Sequence, residues 1–255
     1  MSPVAYEFGD GVARIRLSNG DRGNPLDQAM VDALADAVRQ ARADDAHVVL
    51  LSAAGKAFSF GGDVAAFGSA ADPERLVDDL AESLHRVVSE LHRMNAVVVS
   101  VVHGVAAGAG VALAAAADLV LAGSSARFTL AYTKIGLSPD GGTSLLTASL
   151  GLHRVLRMAL LNPVLSADEA RAAGLVAEIY PDEELDDAVA QVVGTLRAGS
   201  RAAQVAAKRL VRETATPNEE AALRRETLSI RTRAASPDGR EGVAAFLEKR
   251  TPVFE

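Results

Sequence analysis

A lone carboxylate lies at the centre of the segment "IGLSPDGGTS", residues 135–144. The neighbours of Asp140 are apolar or small, and one proline and two glycines set the path of the backbone. Such an acid could act as a general base, because an apolar pocket makes a carboxylate a stronger base. Two structural roles also suit it: a turn in which Asp bonds its own backbone, and the cap of a following helix. The segment by itself leaves all of these interpretations open.

Two glycine-rich loops share a position just after a predicted strand and just before a predicted helix. The first is "GKAFSFGGD" (55–63) and the second is "HGVAAGAG" (103–110). Small residues let a ligand approach the backbone, and a helix N-terminus presents free N–H groups at the positive end of its dipole. Two such loops facing each other would form an oxyanion hole. Neither loop has the spacing of a nucleotide-binding fingerprint.

No metal site is expected from the sequence. The chain has no cysteine, which excludes disulfides, thiolate nucleophiles and cysteine-based metal sites. The histidines are scattered and show no pair with metal-ligand spacing. His85 falls in a predicted amphipathic helix, where a histidine is commonly an ordinary polar residue. The other histidines are His47, His92, His103 and His153.

The composition is that of a globular chain long enough for a substantial hydrophobic core. Of 255 residues, 49% are hydrophobic and 23% are charged, and the formal net charge is −7. No basic stripe is visible, which argues against a nucleic-acid partner. The first twenty residues lack the apolar run of a signal peptide. The absence of cysteine fits a reducing compartment, so we expect a cytoplasmic protein.

The segment 96–123 is apolar enough to be compared with a membrane span. His103 lies inside it, Asp118 interrupts its end, and its β-branched run stops at glycines. We therefore expect a buried strand, a glycine turn and a buried Ala-rich helix here, and no membrane partner.

Strands and helices alternate over the first two thirds of the chain, and helices dominate from about Leu145 onward. The alternating segment 4–18, broken by Gly-Asp-Gly, predicts a β-hairpin. Apolar residues at helical spacing predict a helix over 144–162. Further strands are predicted within 46–55, 96–102 and 119–137, and further helices within 24–45, 70–94, 110–117, 166–174, 183–200 and 201–236.

Several of these segments together resemble the crotonase superfamily, the enoyl-CoA hydratase/isomerase family, over nearly the whole chain. The resemblance implies an α/β fold: a spiral of ββα turns with the acyl-CoA site over residues 1–198, then a C-terminal helical region for trimer assembly over 199–255. It also implies an acyl-CoA substrate and a homotrimer or homohexamer. The matching segments are "NPLD" (24–27), "GKAFSFGGD" (55–63), "HGVAAGAGVALAAAADLVLAG" (103–123), "KIGLSPDGGTSLL" (134–146), "LSADEARAAGLVAEI" (165–179) and "GREGVAAFLEKRTPVF" (239–254).

The resemblance assigns roles to the two loops and to Asp140. The backbone N–H groups of Gly62 and Ala109 would stabilise a thioester oxyanion; the family normally has glycine at the second position, and alanine keeps the N–H. Hydratases of this family hold water between two glutamates, and the matching positions here are Ala112 and Tyr132, so strong hydration is not expected. Asp140 stands where enoyl-CoA isomerases and ring-epoxide isomerases carry a single acid. The resemblance therefore favours a double-bond shift, with a proton taken from C2 and delivered at C4.

Coenzyme A would be part of the substrate, so no separate cofactor is implied. The backbone of Ala57, Ser59 and Gly61 would hold the adenine and pantetheine, and two tail residues would complete the site, across a subunit boundary if the chain assembles that way. Lys249 could equally be an ordinary surface charge. The residues implied in substrate binding are Arg22, Leu26, Ala57, Ser59, Gly61, Tyr132, Phe246 and Lys249.

Three alternatives to an isomerase remain. One is an enoyl-CoA hydratase. Another is an enzyme similar to 4-chlorobenzoyl-CoA dehalogenase, which also has an aspartate at the position of Asp140; His85 falls where that enzyme has its water-activating histidine, and Tyr132 where it has a tryptophan. The third is a non-catalytic acyl-CoA-binding scaffold, although a scaffold has no need for an acid in an apolar pocket.

Overall fold

The computed structural model describes residues 2–254, which form two sheets surrounded by helices. The strands are β1 (Val4–Gly9), β2 (Val12–Leu17), β3 (Val48–Ala53), β4 (Val97–Val102), β5 (Val105–Ala107), β6 (Leu119–Gly123), β7 (Arg127–Thr129), β8 (Leu165–Ser166) and β9 (Glu178–Tyr180). The helices are α1 (Gln28–Ala43), α2 (Val64–Ser69), α3 (Pro73–Arg93), α4 (Ala109–Ala115), α5 (Thr147–Leu150), α6 (Leu152–Leu161), α7 (Ala167–Ala173), α8 (Leu185–Ala198), α9 (Arg201–Ala215), α10 (Glu219–Ala234) and α11 (Pro237–Leu247).

The larger sheet has the strand order β1-β2-β3-β4-β6-β9, and the smaller one has the order β5-β7-β8. In the larger sheet β1 and β2 are antiparallel, and all the later pairs are parallel. In the smaller sheet β5 and β7 are parallel, whereas β7 and β8 are antiparallel. The α/β class and the C-terminal helices expected from the sequence are confirmed.

The N-terminal hairpin forms where the sequence predicts it. Gly9 pairs with Val12, so the connection consists of Asp10 and Gly11, with φ of 53° and 74°. Two successive residues with positive φ match the right-handed twist of the flanking strands, which explains the Asp-Gly pair.

Two hydrophobic layers cover the two faces of the larger sheet. The main layer packs α1, α3 and α4 against one face. On the other face, valines of β2, β3 and β4 meet Leu185, Val189 and Val193 of α8. Because parallel strands covered on both faces are buried throughout, β4 is apolar at nearly every position. This burial explains why the segment 96–123 is so apolar. Within residues 2–254, no helix is long and apolar enough to cross a membrane.

The structure differs from the sequence-based expectation at two places. The single helix predicted over 144–162 is wrong: a 3-10 turn leads into α5, and Gly151, whose φ of 77° lies outside the helical region, separates α5 from α6. The short helix α2 was not predicted; Asp63 caps it by accepting hydrogen bonds from the N–H groups of Ala65 and Ala66.

Helix α3 is the central support of the site described below. Its N-terminus is defined by Asp72, which accepts a hydrogen bond from the N–H of Arg75 at 3.0 Å, and by Pro73 in the first turn. Its buried residues recur at helical spacing, and the helix packs against both α1 and α10. His85 lies on this buried stripe, so its ring points into the protein.

The C-terminal helices fold back onto their own chain. Helix α10 packs against α3, and α11 packs against α2. Lys208 attaches helix α9 to the rest of the chain. Its Nζ donates to the carbonyls of Leu91 and Ala96 at 2.8 and 2.9 Å, and it lies 2.9 Å from Asp118 Oδ2. The expected boundary between residues 198 and 199 falls in the connection between α8 and α9.

Candidate active site

A cavity of about 260 Å³ lies between the two glycine loops, α3 and α10. Its wall is almost entirely apolar; Leu84, Leu130 and Ile135 are typical. Asp140 is the one carboxylate among the described residues that line it. An apolar pocket with a single acid is suited to moving a proton on a largely hydrophobic substrate.

The two glycine loops face each other, as the sequence predicts. Ala107 N–H donates to Ser59 C=O at 2.8 Å, and Ser59 N–H donates to Val105 C=O at 3.2 Å. Gly61 has φ of 83°, and a Cβ there would lie 2.6 Å from the carbonyl oxygen of Ala107. Only glycine allows this close contact of backbone with backbone.

Gly62 and Ala109 both line the cavity that Asp140 lines. Ala109 is the first residue of α4, where a backbone N–H has no partner within the helix. Gly62 lies directly before Asp63, the cap of α2. The structure thus brings the expected pair of N–H donors and the expected base to one cavity.

Asp140 is buried, and its backbone is fixed from both sides. Its carbonyl oxygen accepts hydrogen bonds from the Tyr132 hydroxyl at 3.0 Å and from Thr143 Oγ1 at 2.7 Å. Gly141 and Gly142 follow with φ of 73° and 102°. The next helical turn is capped by Gly142 without a side-chain bond, so Asp140 is not its N-cap.

His85 is the partner that the structure adds to Asp140. Its Nε2 lies 2.9 Å from Asp140 Oδ1 and 3.7 Å from Glu226 Oε2, and all three side chains are more than nine-tenths buried. The Nε2 and Oδ1 atoms have no aligned hydrogen-bond partner within residues 2–254, so charge holds this contact together. Burial opposes a charged ring, but Asp140 and Glu226 outweigh it and raise the pKa of His85 to about 9. The ring is therefore an imidazolium at neutral pH.

Glu226 is a site residue that the sequence analysis missed. Its carboxylate accepts hydrogen bonds from the backbone N–H groups of Gly142 at 2.8 Å and Ser144 at 2.6 Å. The neighbouring Thr227 places its Oγ1 3.1 Å from His85 Nδ1. A signal was present in the sequence: these two polar residues fall on the buried stripe of α10 between Leu223 and Ile230.

The cluster offers three potential metal ligands, although the sequence predicts none. One atom each of His85, Asp140 and Glu226 lies within 4.8 Å of the others. Both oxygens of Glu226 already accept backbone N–H groups, and the His85 ring lies against both carboxylates. These contacts favour a role in holding and moving protons.

Ala112 and Tyr132 stand at the two positions where the resemblance implies that hydratases carry glutamates. Ala112 is buried and does not line the cavity. Tyr132 lines it, and burial raises the pKa of its phenol well above the ordinary value. Neither residue supplies a second base.

The residues implied in coenzyme A binding have different surroundings. Leu26 is buried in the cavity wall, while Arg22 is half-exposed and pairs with Asp63 at 2.7 Å beside it. Phe246 also lines the cavity and is 57% exposed, whereas Lys249 is exposed and does not line it.

The backbone of residues 57–61 is used largely inside the protein. Ser59 is fully buried with its N–H and C=O bonded to the second loop, the Ala57 carbonyl accepts from Asn24 Nδ2 at 3.0 Å, and the Gly61 carbonyl accepts from Leu26 N–H at 2.8 Å. We expect Ser59 to support the loop rather than to touch a ligand.

Comparison with known proteins identifies relatives along the whole chain. A family model described as "Enoyl-CoA hydratase/isomerase" matches residues 7–255. The 1,2-epoxyphenylacetyl-CoA isomerase of Escherichia coli (strain K12) is 35% identical, over 96% of this chain and 95% of that protein. The trans-2-decenoyl-acyl-carrier-protein isomerase of Streptococcus mutans serotype c is 30% identical, over 98% of this chain and 97% of that protein. The crystal structure of an enoyl-CoA hydratase from Mycobacterium avium subsp. paratuberculosis K-10 superimposes with a TM-score of 0.91 at 35% identity, covering 100% of this chain and 99% of that one.

Proposed function

Because the chain belongs to the enoyl-CoA hydratase/isomerase family, we propose that it is an isomerase that shifts a carbon–carbon double bond in an enoyl-CoA thioester. One observation carries the proposal: the cavity wall holds the single carboxylate of Asp140, and Gly62 and Ala109 line the same cavity. A double-bond shift needs one base that both removes and returns a proton, whereas hydration needs a second group to hold the water.

The proposed chemistry uses Asp140 as the base and the backbone N–H groups of Gly62 and Ala109 as donors to the thioester oxygen. Asp140 removes a proton from C2 of a 3-enoyl-CoA, and the electron pair moves onto the thioester oxygen. The N–H groups of Gly62 and Ala109 donate to this oxyanion. Asp140 then returns the proton to C4, the double bond forms between C2 and C3, and the carbonyl is restored. No external proton or redox partner is consumed.

The arrangement argues against hydration as the main reaction. Glu226 lies close to Asp140, but both of its oxygens accept backbone N–H groups and it does not line the cavity. Tyr132 is a neutral phenol whose hydroxyl donates to the Asp140 carbonyl. No second free base within residues 2–254 lines the cavity to accept a proton from water.

The contact between His85 and Asp140 is the feature that a hydrolytic dehalogenase would need. Water activation requires a neutral imidazole, however, because only a free lone pair can take the proton. While Asp140 and Glu226 are ionised they raise the pKa of His85 to about 9, so the ring is protonated at neutral pH in the resting site. In that state Asp140 is the member of the pair that can accept a proton.

The proposal is tested with a panel of 3-enoyl-CoA thioesters of different acyl length, by following the absorbance of the conjugated product. The same protein is assayed for hydration of crotonyl-CoA. We expect isomerisation of at least one thioester and very slow hydration. Rapid hydration without isomerisation would contradict the proposal, and so would acyl-CoA binding without any turnover.

A further inference from the structure

We propose that Phe67 limits the length of the acyl chain that this protein accepts, because it separates the catalytic cavity from a second, largely apolar groove beside it. The inference rests on the proposed function for the thioester itself and refines it by naming the substrate class: short acyl chains without polar substituents. Phe67 lies in α2, the short helix that follows the first glycine loop. It is a specificity-determining residue in this scheme and takes no part in proton transfer.

The wall of the catalytic cavity selects a hydrocarbon chain. Of its polar groups within residues 2–254, the Asp140 carboxylate serves as the base, and the Tyr132 hydroxyl already donates to the Asp140 carbonyl at 3.0 Å. The other side chains are aliphatic or aromatic, such as Val77 and Leu84 of α3 and Ile230 of α10. A hydroxyl or carboxylate on the acyl chain would therefore lose its water without gaining a partner.

The size of the cavity limits the chain to about six carbons. One water molecule occupies about 30 Å³ of liquid, and a methylene group is of similar size, so a cavity of about 260 Å³ holds roughly nine non-hydrogen atoms. The oxygen and the sulfur of the thioester use two of these places, which leaves room for an acyl chain of about six carbons. A longer chain needs further space.

That space lies on the other side of Phe67. A groove of about 380 Å³ runs between α2 and α11. Phe67 and Leu137 are the two residues within 2–254 that line both the cavity and the groove, so their side chains form the partition between them. Most other residues of the groove are apolar, namely Ala70, Pro73, Val243, Ala244 and Leu247. An acyl tail that passed the partition would be buried there.

The two halves of the partition are held differently. Leu137 is buried, and its N–H donates to the Tyr132 carbonyl at 3.1 Å. Phe67 belongs to a helix whose residues are all at least partly exposed, so it can be replaced with less damage to the fold. Its ring lies against Gly62, where a Cβ would come within 2.9 Å of Phe67 Cζ. The ring thus stands beside the proposed donor to the thioester oxygen, where it meets the acyl chain.

Helix α2 is anchored at both ends, which keeps the partition closed. At its start, Asp63 caps the helix and pairs with Arg22 at 2.7 Å. At its end, Gly68 lets α11 approach closely, because a Cβ there would lie 2.5 Å from Leu247 Cδ1. Phe67 lies between the two anchors, so a long acyl chain cannot enter the groove without displacing α2 from α11.

The test compares isomerisation of 3-hexenoyl-CoA and 3-dodecenoyl-CoA by the wild type and by Phe67→Ala. In the wild type we expect kcat/KM for the six-carbon chain to exceed that for the twelve-carbon chain at least about tenfold. In Phe67→Ala this ratio should fall at least about tenfold, because each methylene buried in the groove adds about fourfold in affinity. The matched control is Phe60→Ala, since Phe60 lines the cavity but not the groove, and its ratio should stay near the wild-type value.

A second change shows where the long tail lies. Ala244 lines the groove from α11 and does not line the cavity. Ala244→Phe added to Phe67→Ala should fill the groove and cancel the gain for 3-dodecenoyl-CoA, while 3-hexenoyl-CoA reacts as in Phe67→Ala alone. A gain that persists in the double variant would overturn the groove as the site of the tail.

The restriction to hydrocarbon chains has its own measurement. The six-carbon thioester that carries a carboxylate at its far end should react at least about 10²-fold more slowly with the wild type than 3-hexenoyl-CoA, because the carboxylate finds no partner in the cavity. Comparable turnover of the two would overturn this part of the inference.

Binding of saturated hexanoyl-CoA and dodecanoyl-CoA, measured by calorimetry, separates the length limit from the proposed function because it needs no turnover. If no 3-enoyl-CoA is isomerised but the wild type prefers the shorter ligand and Phe67→Ala reverses the order, the proposed function fails and the limit stands. A wild type that accepts both lengths equally, or an unchanged ratio in folded Phe67→Ala, overturns the limit. Should Phe67→Ala not fold, Phe67→Leu replaces it, with a smaller shift in the same direction expected and an unchanged ratio again overturning the limit.

Discussion

The backbone N–H of Gly142 donates to Glu226 Oε2 at 2.8 Å, and this bond joins helix α10 to the loop that carries Asp140. The other carboxylate oxygen accepts from the N–H of Ser144 at 2.6 Å. Hydrogen bonds to a charged carboxylate are stronger than neutral ones. A residue of the C-terminal helices therefore sets the position of the loop that carries Asp140.

Glu226→Gln should lower kcat with little change in KM. The amide keeps one acceptor oxygen, but its NH₂ group would face a backbone N–H and leave that buried donor unsatisfied, at a cost of about 1–3 kcal/mol. Steady-state kinetics and denaturant unfolding measure both effects. Glu213→Gln, at an exposed acid of α9, is the matched control. An unchanged kcat in Glu226→Gln would show that the loop holds Asp140 without α10.

Asp140→Asn should fold and bind acyl-CoA normally but lose about 10²-fold to 10⁴-fold or more of isomerase turnover, because the amide cannot accept the proton. A purely structural turn residue would give the opposite pattern, a stability loss of about 1 kcal/mol or less with activity intact. Melting temperature, ligand affinity and turnover of this one variant separate the two. Retention of more than about a tenth of the turnover would exclude Asp140 as the base.

Ala109→Pro should cost roughly 10²–10³ in kcat, because it removes one N–H donor of the oxyanion hole. Proline is tolerated in the first turn of a helix, and Ala109 is the first residue of α4, so folding should survive. Ala109→Gly keeps the donor and should be nearly neutral. Equal turnover of the two folded variants would refute the role of this N–H.

The stability of the protein should fall in alkaline solution because of His85. Its pKa in the folded protein, about 9, lies above the ordinary value of 6.5. The stabilisation is fully present below about pH 6.5 and is lost as the pH rises through about 9, up to about 3 kcal/mol in total. Denaturant unfolding at a series of pH values measures it. His85→Gln should lack this decrease, and an identical decrease in the variant would assign it to other groups.

We expect the chain to assemble into a homotrimer or a homohexamer. Helix α6 exposes Leu152, Leu156 and Leu160 along one face, and α9 exposes Leu210, which is 69% accessible. Leucines at i, i+4 and i+8 form an apolar stripe that normally meets a partner. Sedimentation at micromolar concentration should show no monomer, and Leu160→Glu should release it. A stable wild-type monomer would contradict this expectation.

Much of the fold is predictable because its signals are local. Asp10 and Gly11 specify the hairpin turn, and the apolar spacing along α1 and α3 specifies amphipathic helices. Gly151 shows the limit of such signals. The apolar periodicity continues across it, but its positive φ divides the helix.

The predictable part of the site consists of motif residues close in sequence to a glycine. Gly62, Ala109 and Asp140 are of this kind, and all three line the cavity. The contact of Asp140 with His85 depends on how the loop packs against α3, and the contacts of Glu226 with the loop depend on how α10 docks there. Such docking is a long-range packing event that no local pattern encodes.

The dependence of the Asp140 loop on Glu226 affects the order in which the site is completed during protein synthesis. A ribosome releases the two glycine loops and Asp140 well before it releases α10, so the nascent chain carries Asp140, Gly62 and Ala109 before it carries the Glu226 carboxylate that holds the Asp140 loop. We expect activity to begin only after α10 has emerged and docked against α3. Proteolysis or fraying that detaches α10 would release the Asp140 loop from Glu226.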